Sequence, residues 1–450
     1  MKVMVIGGGL AGAEAAWQLA KAGIAVRLTE MRPKRMTPAH RTGLLAELVC
    51  SNSLKSNSLD SASGLLKEEM RRLGSLILRV AEENSVPAGE CLAVNREAFS
   101  ASVTSILEAH PLVEVVREEV EQIPAEGVTI LASGPLTSPS MVRSLNSLIE
   151  KTVRARPSLP SSSPPLLSFF DAISPIVWAE SLDYSRLFRA SRYGRGGEDY
   201  LNASLGREEY DLLWEELVRS ESVHPREFEI PFFEGCLPIE ELARRGHDAL
   251  RFGPLKPVGL VDPVTGKRPW AAVQLRPENR EATMYNLVGF QTRLRWREQD
   301  RIFRLIPGLE RARFCRYGSM HRNTFINSPL LLEKTLEWKG RPGLFLAGQI
   351  TGVEGYMESA ATGLLAGMNA AMVVRGERPV PPPEETALGS LLRYITEANP
   401  DHFQPMNVNF GLFPPLGEGK IPFSERRRRY AQRSLDALEQ WKQGYARRIA

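Results

Sequence analysis

The chain has 450 residues, enough for two or three packed units around real cores. Hydrophobic residues make up 43% and charged residues 24%, which excludes a disordered chain, and no apolar run reaches membrane-spanning length. The net charge of +4 does not by itself single out a polyanionic partner, and four scattered cysteines (Cys50, Cys91, Cys236, Cys315) with no C-x-x-C pair argue against a zinc site or a disulfide framework. Residues 1–6 run straight into a strand, so no signal peptide is expected. The expected setting is the cytoplasm, with no membrane partner and no metal.

Residues 2–6 (K-V-M-V-I) read as a buried strand, followed by Gly7-Gly8-Gly9-Leu10-Ala11-Gly12 and an Ala-rich helix over 13–21. A second strand over 25–29 ends on Glu30, an acid placed to accept from a ribose hydroxyl. Gly7 permits the tight turn, Gly9 lets a pyrophosphate approach the backbone, and Gly12 lets the helix lie close to the strand. The helix N-terminus then offers free N–H groups and partial positive charge to the phosphates. The run A-E-A-A at 13–16 resembles FAD enzymes more than NAD enzymes. Met31 and Arg32 open a loop expected beside the adenosine.

Within the polar stretch that follows, Cys50 precedes Ser51-Asn52-Ser53, residues that favour turns and caps. Cys50 is therefore either a buried small hydrophobe or a thiol at the end of an element, facing a ligand or a helix N-terminus. Apolar residues from Leu65 to Val80 predict one amphipathic helix over 65–83. A helix is expected over 96–109, then strands over 112–117 and 128–131. The second strand ends in A-S-G-P, with Ser133 and Gly134 expected to touch the nucleotide through their backbone. Residues 158–165 read as a Ser/Pro connection and 167–173 as a strand.

From about 183 to 304 the Gly/Ala-rich style gives way to Pro, Arg and aromatic residues, with a clear helix over 207–219. Nucleotide-fold sequence resumes afterwards, so this stretch reads as an insertion. Gly235 and Pro238 predict a turn at Cys236, a thiol that is either packing or a positioned nucleophile. Arginines cluster at Arg186, Arg189 and Arg192, at Arg293, Arg295 and Arg297, and at 426–429, interleaved with aromatics that suit a polyanion offering bases to stack on, although any single cluster reads more readily as a solvated helix face carrying salt bridges. A second Gly-rich strand-to-helix junction follows at 343–360, carrying Gly348, Gln349, Gly355, Tyr356, Glu358, Ser359 and Ala360 and leading into a small-residue helix to 374. Its helix start is expected beside the flavin. Helices over 387–398 and 424–447 close the chain, with an irregular stretch over 401–415 between them.

Four motifs together, G-G-G-L-A-G-A-E-A-A at 7–16, L-V-C-S-N-S-L at 48–54, F-E-G-C-L-P-I-E at 233–240 and A-G-Q-I-T-G-V-E-G-Y-M-E-S-A at 347–360, resemble the folate- and FAD-dependent tRNA (uracil-5-)-methyltransferase family over nearly the whole chain. The last motif is shared with a relative, the large flavin subunit that modifies wobble uridines. The resemblance implies an α/β chain with a discontinuous, Rossmann-like FAD-binding domain of the glutathione-reductase type. Its two parts, 1–182 and 306–450, would flank an inserted α+β domain at 183–305. It implies that carbon passes from 5,10-methylenetetrahydrofolate to C5 of the T-loop uridine of tRNA, releasing tetrahydrofolate, with electrons from NADH or NADPH through FAD. Cys50 and Cys236 are then jointly nucleophile and base. His321, Arg322 and Asn323 would meet the pterin, and no obligate protein partner is implied. Two rivals are an FAD-dependent NAD(P)H oxidoreductase, including the wobble-uridine type, and a non-catalytic FAD-bearing tRNA-binding protein. The short tail after Pro383 argues against the wobble-uridine relative.

Overall fold

Val3, Val5, Val26, Leu28, Ile130, Leu131, Leu344 and Phe345 are almost wholly buried, because the strands that carry them are covered on both faces. The computed structural model describes residues 2–155, 166–194, 197–222, 237–417 and 421–449. Its first half runs β1 (Val3–Ile6), α1 (Leu10–Lys21), β2 (Val26–Thr29), β3 (Ser53–Ser56), α2 (Ala62–Arg72), α3 (Leu76–Glu83), β4 (Ser85–Val86), β5 (Cys91–Val94), α4 (Arg96–Glu108), β6 (Val113–Val116), β7 (Thr129–Leu131), α5 (Pro139–Ala155) and β8 (Leu166–Ile173). Then come β9 (Ile176–Trp178), β10 (Leu187–Arg189), β11 (Leu201–Leu205), α6 (Arg207–Arg219), α7 (Ile239–Arg244), α8 (Ala249–Phe252), β12 (Ala271–Pro277), β13 (Met284–Leu287), α9 (Trp296–Phe303) and β14 (Phe314–Arg316). The chain closes with β15 (Ser319–Ile326), α10 (Ser328–Leu331), β16 (Leu344–Leu346), α11 (Tyr356–Val374), α12 (Ala387–Glu397) and α13 (Phe423–Ile449).

Among the described residues, one sheet has the order β16-β7-β1-β2-β6 and is parallel throughout. Strand β16, more than two hundred residues after β7, pairs with it in register Leu344↔Thr129. The first sheet thus takes strands from both ends of the chain. Helices α1 and α11 cross so closely that a Cβ on Gly363 would strike the carbonyl oxygen of Ala11, and one on Gly367 the backbone of Ala15. This packing brings the N-termini of both helices to the carboxyl edge of the sheet.

A second sheet, β10-β11-β12-β13-β9-β14, pairs antiparallel and has its own core around Val177, Leu213, Leu275, Phe290 and Phe303. It extends beyond the expected 183–305, since β9 and β14 lie outside those limits. The antiparallel ribbon β8–β15, paired from Ser319↔Ile173 to Ile326↔Leu166, carries the chain between the two sheets.

The helix expected over 65–83 is two helices. Gly74, at φ 76°, ends the first, and the Ser75 side chain caps the second by accepting from Leu78 N. The apolar stripe continues across the break, so periodicity alone does not reveal it. The Ser/Pro connection at 158–165 lies outside the described residues.

Candidate active site

The turn after β1 takes its shape from its glycines. Gly7 sits at φ 101°, and a Cβ on Gly12 would collide with the Gly7 carbonyl oxygen. A Cβ on Gly9 meets nothing within 4 Å, so the backbone there is open to a ligand. Gly8 N donates to Glu30 Oε2 (2.8 Å), while Arg32 N and Nε donate to Glu30 Oε1 (3.0 and 2.9 Å). Burial pushes the Glu30 carboxyl up, but the Arg32 guanidinium and these N–H donors outweigh it and hold the group below the usual range. Glu30 is therefore an ionised acceptor with lone pairs to spare for hydroxyls. His40, buried beside Arg32, is held down to about 4 by burial and that positive charge, so it is a neutral ring.

Gly7, Gly9, Leu10, Ala11, Glu30, Met31, Arg32, Ser133, Gly134, Gly348, Gln349, Tyr356 and Ser359 line one cavity. Gly8 and Gly12 shape its turn from behind, and Ala360 is buried within α11. Open backbone at Gly9, a helix N-terminus and an ionised acid one strand away fit a dinucleotide with its pyrophosphate on α1.

A second cavity of about 260 Å³ adjoins the first and shares Val49, Leu136, Gln349, Tyr356 and Ser359 with it. Cys50, Lys55, Asn323, Gly355 and Glu358 line it. Tyr356, the first residue of α11, accepts from Cys50 N (2.7 Å) and Ser51 N (3.2 Å), and its Oη lies 2.8 Å from Cys50 Sγ. Arg96 is bidentate on Glu278 and lies within electrostatic reach of Cys50 and Tyr356. Arg276, at the end of β12, donates to Asn52 Oδ1 (2.8 Å) and Ser51 Oγ (2.7 Å). Asn52 Nδ2 donates in turn to Val94 O and Pro277 O. The Ser-Asn pair after Cys50 thus pins the thiol's turn to the second sheet.

Residues 2–378 match the protein family described as Glucose inhibited division protein A. The chain is 58% identical over 441 residues to the methylenetetrahydrofolate--tRNA-(uracil-5-)-methyltransferase TrmFO of Geobacter sulfurreducens, covering 98% of each. It is 58% identical over 437 residues to that of Moorella thermoacetica, covering 97% of each. The chain belongs to the TrmFO family. Aquifex aeolicus GidA in its form II crystal shares the fold at a TM-score of 0.68 and 17% identity, over 98% of this chain and 73% of that one.

For a TrmFO family member, the other expected residues divide clearly. Cys236 lies outside the described residues, but the chain just after it is fixed. Ile239 N donates to Gln291 O, Gln291 lines the second cavity, and the buried Glu240 accepts from Thr292 Oγ1 and Arg293 N. His321 and Arg322 belong to β15 by backbone, and their side chains lie outside the described residues. Asn323 is buried at the cavity, and Thr324 N beside it donates to Pro135 O.

Two of the six arginines expected to bind tRNA have partners within the protein. The Arg192 guanidinium donates to Pro254 O and Ala272 O, and burial lowers it to about 10. Arg293 is buried and paired with Glu241. Arg293 thus turns inward, whereas Arg192 is half-buried. Arg186 is exposed but bridges Glu209 and Glu310, while Arg189, Arg295 and Arg297 are exposed. Beside Arg295 and Arg297, Trp296 is 67% exposed and stacks on Tyr317 (5.4 Å, 15°), which stacks on Phe314 (5.2 Å, 23°). Arg96, Arg276, Glu278 and Lys55 were missed by the sequence reading, because nothing local marks a polar residue that acts on a loop far away in the chain.

Among the described residues no group of His, Cys, Asp and Glu could hold a metal, and no helix is long and apolar enough to cross a membrane.

Proposed function

We infer that this chain transfers a one-carbon unit from 5,10-methylenetetrahydrofolate to C5 of the T-loop uridine of tRNA, with NADH or NADPH as the electron source and FAD as the cofactor. The observation that supports this most is the position of Cys50. It shares a cavity that opens into a dinucleotide cradle, in a chain 58% identical to methyltransferases of that name. The first sheet with α1 and α11 is read as a discontinuous, Rossmann-like FAD-binding domain. The second sheet is read as an insertion bounded by the β8–β15 ribbon, and the cytoplasm as its setting.

The protein's part is to bind, orient and move protons. Gly7, Gly9 and the α1 N-terminus would hold the pyrophosphate, Glu30 the ribose, and Ser133, Gly134, Gly348 and Gln349 the far wall. When bound, FAD supplies the electrons that turn a transferred methylene into a methyl. C5 of uracil is a poor nucleophile until a thiolate adds to C6, and its C5 proton must then be removed. Cys50 and Cys236 share these two tasks. Asn323, with His321 and Arg322 on the same strand, is read as the pterin side. Arg189, Arg295, Arg297 and the open face of Trp296 form a basic, aromatic rim for a uridine that has left its stack.

The test supplies purified protein with unmodified tRNA transcript, NADPH and folate labelled in the transferable carbon. Label in 5-methyluridine at a T-loop uridine is the expected result. NADPH oxidation without label in RNA would overturn the reading in favour of a flavin oxidoreductase with another acceptor.

A further inference from the structure

Lys55, the penultimate residue of β3, sits at φ 66°, a left-handed conformation that side-chain-bearing residues avoid unless their surroundings hold them there. Its ammonium Nζ lies 2.8 Å from Glu358 Oε1. The Glu358 side chain is 1% exposed and that of Lys55 is 40% exposed, so the pair runs from the interior to the cavity that also holds Cys50. Glu358 Oε1 also accepts from Val408 N, and its Oε2 is buried with no hydrogen-bond partner among the described residues, so the carboxylate is dedicated to this corner. Gly355 is required beside it, because a Cβ there would press on Glu358 Oε2 and sit 2.8 Å from Lys55 Nζ. Two arginines near the thiol are committed, Arg96 to Glu278 and Arg276 to Ser51 and Asn52, while Arg316 also lies within electrostatic reach of Cys50. An ammonium has three N–H donors and Glu358 takes one, leaving two for the cavity.

We propose that Lys55 is a catalytic residue whose ammonium binds O4 of the target uracil and stabilises the negative charge that gathers there, with Glu358 as the positioning residue that aims it. This rests on the methyl-transfer reading. When a thiolate adds to C6, the S–C6 bond forms, the C5–C6 π pair moves through C4 onto O4, and no group leaves. When C5 bonds to the incoming one-carbon electrophile, that pair returns from O4 to form the new C–C bond. Charge gathers on O4 between these two events, and again when the C5 proton is removed. A cation fixed at O4 therefore stabilises the enolate more than the bound uracil, which is the condition for accelerating the step rather than tightening binding.

The experiment compares wild type, K55M, K55R and E358Q under single turnover with saturating enzyme. It measures label transfer from folate to uridine, tritium release from 5-tritiated uridine in tRNA, tRNA affinity and bound FAD. K55M is expected to lower transfer and tritium release together by about 100-fold, the scale of losing one oxyanion donor. FAD content and tRNA affinity hold within about twofold, and K55R, which keeps the charge, recovers about tenfold of the loss. E358Q lowers the rate less than K55M, with the same affinity. An unchanged rate in K55M overturns the proposal. So does weakened tRNA binding with an unchanged saturating rate, which identifies a phosphate contact. Loss of FAD in both K55M and K55R also overturns it, since the ion pair would then be structural. A wild-type protein that transfers no label overturns the underlying reading whatever Lys55 does.

Discussion

Tyr356 Oη accepts backbone hydrogen bonds from Cys50 and Ser51 and lies 2.8 Å from Cys50 Sγ, so its own proton is directed at the sulfur. Two accepted bonds occupy both lone pairs of a phenol oxygen, which leaves donation as its remaining capacity. Burial, and then the nearby Cys50, push the Tyr356 phenol well above its ordinary value, so it stays protonated at any working pH. A donor fixed on sulfur favours the thiolate, the form that serves as either nucleophile or base. Tyr356→Phe is expected to slow methyl transfer about 10-fold or more, the scale of one hydrogen bond to a charged group. It should also slow iodoacetamide labelling of Cys50 at neutral pH. Peptide mass mapping after timed alkylation checks this, and equal labelling in both proteins would contradict it.

The turn that carries Cys50 depends on a residue more than two hundred positions away. Arg276 binds both Ser51 and Asn52, and Asn52 closes the circuit through Pro277 O and Val94 O. Arg276→Met should leave the cradle of Gly7, Gly9 and Glu30 untouched while freeing the thiol's turn. The expected outcome is normal FAD content with turnover down about tenfold, the cost of leaving two buried polar groups without their charged donor. Flavin absorbance and labelled-folate turnover on the same preparation separate this from general unfolding.

The crossing of α1 and α11 is set by backbone contact. Gly363→Ala puts a methyl against the Ala11 carbonyl oxygen, so α11 must move away from α1. Overpacking of this kind costs about 1–3 kcal/mol. Because α11 also presents Tyr356 and Glu358, the variant should lose both thermal stability and flavin. A thermal scan with and without added FAD reads this directly.

The cradle was legible because G-x-G-x-x-G states a backbone requirement that few other contexts share, and the acid ending the next strand has one obvious use. Gly7, Gly9, Glu30, Gly348 and Gln349 all meet at one cavity. Cys50 was half legible, since Ser51 and Asn52 announced a turn but not what holds it. That information sits in Arg276, on a strand whose pairing is non-local. The partners of Arg192 and Arg293 were not legible, because a run of like residues does not say which guanidinium folds onto carbonyls or carboxylates. Helix α5 was absent from the expected elements, although Met141, Leu145 and Ile149 repeat every fourth residue and are all buried. The irregular stretch over 401–415 acquires a reason in three dimensions. Glu354 N donates to Met406 O, and Val408 N to Glu358, so this stretch braces the loop that starts α11.

Glu69 links stability to pH. Its buried carboxylate accepts from Ala387 N (2.6 Å), Leu388 N (2.9 Å) and Ser434 Oγ, tying α12 and α13 to α2. Burial outweighs these donors and raises the group from 4.5 to about 7. The folded state therefore binds a proton between those values that the unfolded chain has released. The sign follows: this contribution is full below pH 4.5, falls as pH rises toward 7, and is flat above. Its span is about 3 kcal/mol at most, from 1.36 kcal/mol per pH unit. Denaturant unfolding of wild type and Glu69→Gln should show the wild-type advantage shrinking from pH 5 to pH 7.5. An advantage that grows over that range would contradict the assignment.

The aromatic ladder at the start of α9 carries the last prediction. Trp296 stacks inward on Tyr317, whose hydroxyl donates to Asp300 Oδ2, so the indole is held flat with its outer face open. Arg295 and Arg297 flank it, and among the described residues the ionic partner of the Arg295 side chain is Glu221, 3.8 Å away. A fixed aromatic face between two cations suits an unstacked base with phosphates on either side, whereas a merely solvated helix end has no need of the ladder behind it. Trp296→Ala removes the platform but no charge. It should weaken tRNA binding by about 1–3 kcal/mol, the worth of one base–aromatic stack, with the salt dependence unchanged. Arg295→Ala and Arg297→Ala should each lower the slope of log affinity against log salt by about one, with a smaller loss at high salt. Filter binding of a T-arm minihelix across a salt series reads both quantities. If Trp296→Ala changed the slope, or the arginine variants left it alone, RNA would be bound elsewhere on the protein.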